Sequence, residues 1–251
     1  FWVGDTPVVG TYELYRRQNR GVRIQELNFS PERRLMVAAF LADNVLEEKR
    51  NYLYHHYDDN CATRVRDVID MATDGQFKAA SMEPGRMTLR AHTRRHSGKN
   101  PPMDALLMFL MNSEIDRPTR IWDEMFLPQE LEERVDEFHY VDENGDLIPL
   151  VKERTIYFEG NQPPVPEKPR LLWPWALLLS ALGGTLAVVI GRWYRADPGQ
   201  RRRRVVFGLY HTGMGFLMGV PGLILGMMWL FTEHTVTYWN QNLFWSSPVT
   251  T

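Results

Sequence analysis

Apolar residues are spread unevenly along the chain of 251 residues. The run "LLWPWALLLSALGGTLAVVIG", Leu171 to Gly191, holds 21 residues without a charge, about the ~20 that a helix needs to cross ~30 Å of hydrocarbon. "VVFGLYHTGMGFLMGVPGLILGMMWLF", Val205 to Phe231, is longer and equally free of formal charge. Its glycines and Pro221 are tolerated in a span where neighbouring helices satisfy the freed backbone groups. Both runs predict transmembrane helices. The alternative, two buried core helices, is disfavoured because core helices seldom stay apolar over such lengths.

The preceding residues are patterned instead. "GVRIQELNF" predicts a strand entering a loop. Ser30 as N-cap and Pro31 at the first helical position, with Arg33 where a capping box would have Glu, start a helix from Pro31 to about Lys49. Its expected buried stripe is Leu35, Ala38, Ala39, Ala42, Val45 and Leu46. A second helix runs from Cys61 to about Ala72, with Val65, Val68, Ile69 and Ala72 buried and Gly75 as a left-handed terminator. "MTLRAHTRRHSGKNPP" reads as a short strand and a polar, basic loop, and "MDALLMFLMN" as helical or buried. A turn at Pro118 precedes a helix from Pro128 to about Phe138, and Asn144–Gly145 forms the turn of a hairpin. "GNQPPVPEKPR" is a stiff, proline-rich linker. The expected organisation is an extracytoplasmic domain over residues 1–160, a linker over 161–170 and a transmembrane region over 171–251.

Charge sets the topology. "RWYRADPGQRRRR" puts six arginines in the short connection between the two spans, which marks residues 192–204 as cytoplasmic and residues 1–170 as periplasmic. Trp173, Trp175, Trp229 and Trp245 then suit the membrane interfaces. Residues 1–169 hold 22 Lys and Arg against 29 Asp and Glu, a formal −7 that excludes a nucleic-acid binder. "FWVGDTPVVG" has neither a basic start nor an apolar stretch, so export information is expected upstream of it.

The chain has one cysteine, Cys61, inside "NYLYHHYDDNCATRVRDVIDMA". A lone thiol packs by default as a small hydrophobe. An oxidising compartment argues otherwise, since an unpaired cysteine there is either intermolecular or reactive. With Asp59 or Asn60 as cap, Cys61 falls in the first helical turn, where free N–H groups and the macrodipole stabilise a thiolate. Arg64 and Arg66 add positive charge, and Asp58, Asp59 and Asp67 are expected to be engaged by them or by backbone donors. The Cys61 N–H, with the Asn60 amide, can receive an oxyanion.

A thiol nucleophile needs a base, usually histidine. His55 and His56 precede the cysteine closely, although packing roles fit them as well. His92 and His96 have a four-residue spacing suited to zinc, but no Glu accompanies them, and no metal site is expected. His139 begins a strand, His211 lies within a span facing other helices, and His234 follows the second span on the outer side.

These residues resemble a known family. "YLYHHYDDNCATRVRDVID" is similar to the Tyr-rich, Asp-Asn-Cys-(Ala/Ser)-Thr-Arg-x-Arg-Asp signature of the Lnb-like lipoprotein N-acyltransferases of Bacteroides-type bacteria. "NRGVRIQELNFS", "EIDRPTRIWDEMFLP", "GDLIPLV" and "TEHTVTYWNQNLFWSSP" fit the same pattern, so the likeness covers most of the chain. It implies an α+β, papain-like domain of permuted NlpC type, N-terminally truncated here, followed by transmembrane helices. The family's base histidine lies in a Phe-Gly-His-like segment ahead of these residues, and the C-terminal tail suggests further spans beyond it.

The resemblance also implies an activity. Cys61 would take an acyl chain from a membrane phospholipid as a thioester and pass it to the N-terminal amine of a bacterial lipoprotein, with no cofactor. Asn60 would act as cap or oxyanion donor, Asp59, Thr63, Arg64, Arg66 and Asp67 would fix the helix start, and Tyr54 and Tyr57 would line the acyl entrance, although packing is the stronger expectation for both tyrosines. Glu233, His234, Asn240 and Asn242 form a candidate membrane-face site for lipid headgroups or the lipoprotein amine, with interfacial anchoring as the alternative. The competing readings are an NlpC-like cysteine hydrolase of peptides or amides and a non-enzymatic, membrane-tethered binding module.

Overall fold

The computed structural model describes residues 1–4 and 6–246; the Trp245 side chain, expected above as an interfacial anchor, lies outside the described residues. In chain order the elements are α1 (Val8–Arg17), β1 (Val22–Leu27), α2 (Pro31–Asn44), α3 (Cys61–Ala72), α4 (Gln76–Ala80), α5 (Leu89–Ser97), α6 (Pro101–Leu110), α7 (Ile121–Glu124), α8 (Pro128–Glu137), β2 (His139–Val141), β3 (Leu147–Pro149), β4 (Val151–Phe158), α9 (Trp173–Ala196), α10 (Arg201–Phe231) and α11 (Asn242–Trp245). Residues 1–89 with 118–165 form one compact unit and residues 90–117 with 166–251 a second. The stretch 90–117, expected in the extracytoplasmic domain, thus groups with the two long helices.

The first unit is mixed α/β. β1 pairs antiparallel with β4 from Val22↔Phe158 to Leu27↔Val151, and β2 pairs with β3. The β2–β3 hairpin turns where expected: Asp142 Oδ1 accepts the Asn144 and Asp146 N–H groups at 2.8 and 2.9 Å, and Gly145 takes the left-handed conformation. Phe29, Ile69, Phe77, Met125, Phe138, Tyr140 and Leu150 make the core between these elements. Phe77 meets Phe138 edge to face at 5.0 Å, and the Tyr140 hydroxyl donates to Asn28 O at 2.7 Å, so the core is apolar and the Tyr140 phenol is satisfied.

Helix starts follow their capping chemistry. The Arg33 N–H donates to Ser30 Oγ at 3.3 Å and Pro31 opens α2 as expected, but α2 ends at Asn44, short of Lys49. Its expected buried stripe is also a correction: Leu35 is 72% exposed, and Ala38, Ala39, Ala42 and Leu46 are exposed with it. Arg33 is the buried residue of this helix instead, held by Asp74 at 2.7 Å, by Glu143 and by the Ala72 carbonyl. A guanidinium with three acceptors is cheaper to bury than helical periodicity alone suggests. Among the helices of eight or more residues, two were not predicted from the sequence. α1 lies ahead of the predicted strand in a segment to which no element was assigned, and α5 occupies the stretch read as a strand and basic loop, where Arg, His and Thr obscure a helical spacing.

In the second unit α9 and α10, of 24 and 31 residues, are both long and apolar enough to cross a membrane. They are joined by the arginine-rich turn, where Arg203 donates to Gln200 Oε1 at 2.7 Å and to Trp193 O at 2.8 Å. Between the helices the Tyr210 hydroxyl donates to Gly183 O at 2.9 Å, and Tyr194 stacks on Phe207 at 4.5 Å. His211 is exposed, its ring 4.2 Å from that of Phe207. After α10 the chain folds back, so that the Ser246 backbone lies where a Cβ on Gly222 would be.

Candidate functional site

Cys61 is the first residue of α3 and is exposed. The helix can begin there because Asn60 is extended and caps it: Asn60 Oδ1 accepts the N–H groups of Ala62 at 2.8 Å and Thr63 at 3.0 Å, while Thr63 Oγ1 accepts the Asn60 N–H at 2.8 Å. The Arg64 N–H bonds to Asn60 O, so the first-turn donor that this cap leaves over is that of Cys61 itself. Asn60 and Thr63 are both buried. Of the two roles expected for Asn60, the cap is observed. Its amide donates to His56 O at 2.7 Å and Phe126 O at 3.1 Å, which occupies both hydrogens.

Around the helix start, Asp59 and Asp67 pair with the arginines as expected, whereas Asp58 pairs with His55. Arg64 grips Asp59 with two parallel bonds, Nε to Oδ1 at 2.7 Å and Nη2 to Oδ2 at 2.9 Å, and its guanidinium lies 3.8 Å over the Tyr52 ring. Arg66 donates from Nε to Asp67 Oδ1 at 2.9 Å and from Nη1 to Trp122 O at 3.0 Å, stacked 4.0 Å over the Trp122 ring. Arg66 is buried, which shifts the inward face of α3 to Ala62, Thr63, Arg66, Ile69 and Ala72. Val65, expected inside, is 52% exposed.

That shift creates the cavity beside the sulfur. Cys61, Ala62, Val65 and Ile69 of α3, Pro128, Leu131, Glu132 and Val135 of α8, and Gln25 and Leu27 of β1 line an open groove of about 360 Å³. Its walls are mostly apolar, with Cys61 among the few polar members. The far side is braced: Glu132 accepts from Arg23 Nη2 at 2.6 Å and Arg154 Nη2 at 3.2 Å, and Gln25 donates to Asp136 at 2.6 Å. The Arg23 hydrogen bond, against opposing desolvation, holds the Glu132 carboxyl below its ordinary value.

Other expected residues fall into two groups. Tyr54 is close enough to Cys61 to feel its charge; burial, then Cys61, raises its phenol above the ordinary value. Tyr57 packs in the core, the use favoured for it above, 3% exposed and edge to face with Phe126 at 4.9 Å. His56 packs at 4.7 Å against the Tyr57 ring, and burial, then His55, lowers its pKa. The sequence reading missed Tyr52, which both Arg64 and Cys61 influence electrostatically, and the whole α8 wall of the groove. The spacing of Pro128, Leu131 and Val135 signalled an apolar helix face but not its partner.

Within the second unit, Glu233 and His234 are exposed just past α10. Asn240 and Asn242 have a structural use: their side-chain amides donate to Phe109 O at 3.0 and 2.7 Å and close the end of α6. His92 is buried on α5 with Nδ1 3.1 Å from Arg95 Nη1, whereas His96 is exposed. The pair lies on a helix, not in the expected loop.

No curated protein and no solved structure matches the chain. Residues 4–95, which carry β1, α2 and the whole Cys61 helix, match the model of the Lnb N-terminal periplasmic domain. That match supports an Lnb-like family, and together with two helices of membrane-spanning length it suggests a membrane protein with a periplasmic segment.

Proposed function

We propose that the chain is a membrane-anchored acyltransferase using Cys61 as its nucleophile. The observation that carries this reading is the position of the thiol: exposed, at the capped start of α3, and on the rim of a groove of about 360 Å³ with apolar walls. A peptide substrate would be served by polar, backbone-directed groups along such a groove, whereas an acyl chain asks only for apolar contact. The two membrane-length helices keep the thiol in the same two-dimensional space as a phospholipid donor and a lipidated acceptor.

In the first half-reaction the Cys61 sulfur attacks the ester carbonyl of a phospholipid. The carbon–sulfur bond forms, the ester carbon–oxygen bond breaks, and the glycerol oxygen leaves as a lysophospholipid, taking through a base the proton the thiol gave up. The Cys61 N–H is placed to bond the tetrahedral oxyanion. In the second half the α-amine of the acceptor's lipidated cysteine attacks the thioester, forming an amide and returning the thiol. An α-amine with a pKa near ~8 is partly neutral at physiological pH, so it can do this without a strong base.

A papain-like arrangement of permuted NlpC type is consistent with a thiol that opens a helix in the same unit as an antiparallel strand pair. In this reading the arginine-rich connection at residues 192–204 lies in the cytoplasm, following the asymmetry of basic residues.

The test is to incubate the chain in lipid nanodiscs with phospholipid bearing a tagged acyl chain. A hydroxylamine-sensitive label on Cys61, absent from Cys61→Ser, supports the reading. A label that resists hydroxylamine or persists in Cys61→Ser overturns it.

A further inference from the structure

The second unit contains a short apolar helix whose surroundings point to a lipid environment. α6, "PPMDALLMFL", has 10 residues, too few to cross a bilayer and in the range of interfacial or re-entrant segments. It is not a core helix, since Met103 and Leu106 are 48% and 39% exposed.

Its single charge is hidden. Asp104 is 1% exposed and accepts from Ser97 Oγ at 2.5 Å and from Arg94 Nε at 3.3 Å, so the outward face carries no formal charge. Most of the backbone groups at its ends are closed as well. Pro101 and Pro102 have no N–H, and the Met103 N–H donates to Asn100 Oδ1 at 3.3 Å. At the other end Met108 O accepts from Arg90 Nη1 at 3.3 Å, Phe109 O from Asn240 and Asn242, and Met111 O and Asn112 O from Arg90 Nη2 at 3.4 and 2.7 Å. Water normally satisfies the last carbonyls of an exposed helix. Side chains recruited from distant parts of the sequence to do so are what a helix end needs where water is scarce.

The helix is also fixed to the end of α10. The Asn112 N–H donates to Val236 O at 2.7 Å and its side chain to Tyr238 O at 2.9 Å. At that end α10 exposes Leu230 and Phe231, and Trp229 lies 5.1 Å from Trp239, an aromatic pair of the kind found at bilayer interfaces. α6, with its C-terminal end fixed beside the end of α10, and α10 therefore both expose apolar side chains within one unit.

We infer that α6 lies in the outer leaflet of the bilayer crossed by α9 and α10, with Met103 and Leu106 against phospholipid acyl chains. This does not rest on the acyl-transfer reading. It makes residues 101–112 part of the membrane unit, embedded from the side.

The test uses the chain in nanodiscs of phosphatidylethanolamine and phosphatidylglycerol. With Cys61→Ser as background, Met103→Cys and Leu106→Cys carry an NBD fluorophore, and Leu182→Cys on α9 serves as the deep reference. The expected result is a blue-shifted NBD emission at positions 103 and 106, quenched at least twofold more by lipid with a doxyl group near the headgroup than by lipid with doxyl near the chain end. The reverse preference is expected at position 182. Water-exposed emission quenched by iodide overturns the inference. So does shielding without quenching by doxyl lipid, which would mean that protein covers the face, and so does failure of the position 182 label to be quenched. None of these readouts depends on acyl transfer.

Discussion

Asn60 and Thr63 cap the Cys61 helix reciprocally: Asn60 Oδ1 accepts the Thr63 N–H at 3.0 Å while Thr63 Oγ1 accepts the Asn60 N–H at 2.8 Å. The same Asn60 side chain holds two backbone carbonyls, those of His56 and Phe126. One residue thus ties the helix start to the loop before it and to the chain leading into α8. Loss of a cap costs about 1 kcal/mol, and unsatisfied buried carbonyls add to that. Asn60→Ala is expected to lower unfolding stability by about 2–3 kcal/mol on this scale, read by chemical unfolding of the detergent-solubilised chain. Asn60→Asp keeps the cap acceptor and loses the two donors, so it should fall between wild type and Asn60→Ala.

Val65 stands on the groove wall one helical turn beyond Cys61 and is half exposed, so enlarging it fills the groove without disturbing the core. Val65→Trp should reduce labelling of Cys61 by long acyl chains about tenfold or more, the scale of steric mismatch in an apolar pocket. Short chains should be affected little. Equal loss for all chain lengths would argue that the groove does not hold the chain.

His56 gives a pH signature. Burial lowers its pKa, so the folded protein keeps the ring neutral while the unfolded chain protonates it near the ordinary 6.5. Its contribution to stability is therefore complete above that value and is lost as pH falls from 6.5 through the depressed folded value. Glu132, also depressed, acts lower, as pH falls from 4.5 through its own folded value. Unfolding free energy measured from about pH 7 to pH 5 should fall with acidity, and His56→Gln should flatten that slope while leaving the drop at lower pH.

At Gly222 the returning tail touches the α10 backbone closely enough to exclude a side chain. Gly222→Val should displace residues around Ser246. In a Cys61→Ser background, Ser246→Cys is expected to react slowly with a charged maleimide and to react several-fold faster once Gly222→Val is added. An unchanged rate would mean that the tail does not pack there.

Local chemistry explains what was readable without coordinates. Ser30–Pro31, Asn60 and Pro128 announce helices because each cap or proline acts within one turn of its own position, and α2, α3 and α8 start where those residues stand. The hairpin at Asn144–Gly145 is equally local. Failures came where distant partners override periodicity. Arg33 and Arg66 are buried because Glu143, Asp74 and Trp122 come from far along the chain to meet them. Once those arginines turn inward, Leu35 and Val65 must turn outward.

By itself, the sequence determined a lone thiol at a capped helix start and two helices of membrane length, because backbone capping and bilayer thickness are tested by contiguous residues. Tertiary structure alone decided that β1 and α8 stand opposite Val65 and make an apolar groove at the sulfur. It also decided that Asn240 and Asn242 close the end of α6. Those outcomes depend on which distant groups satisfy each buried charge and each helix-end carbonyl, and no window of sequence contains both halves of such a pair.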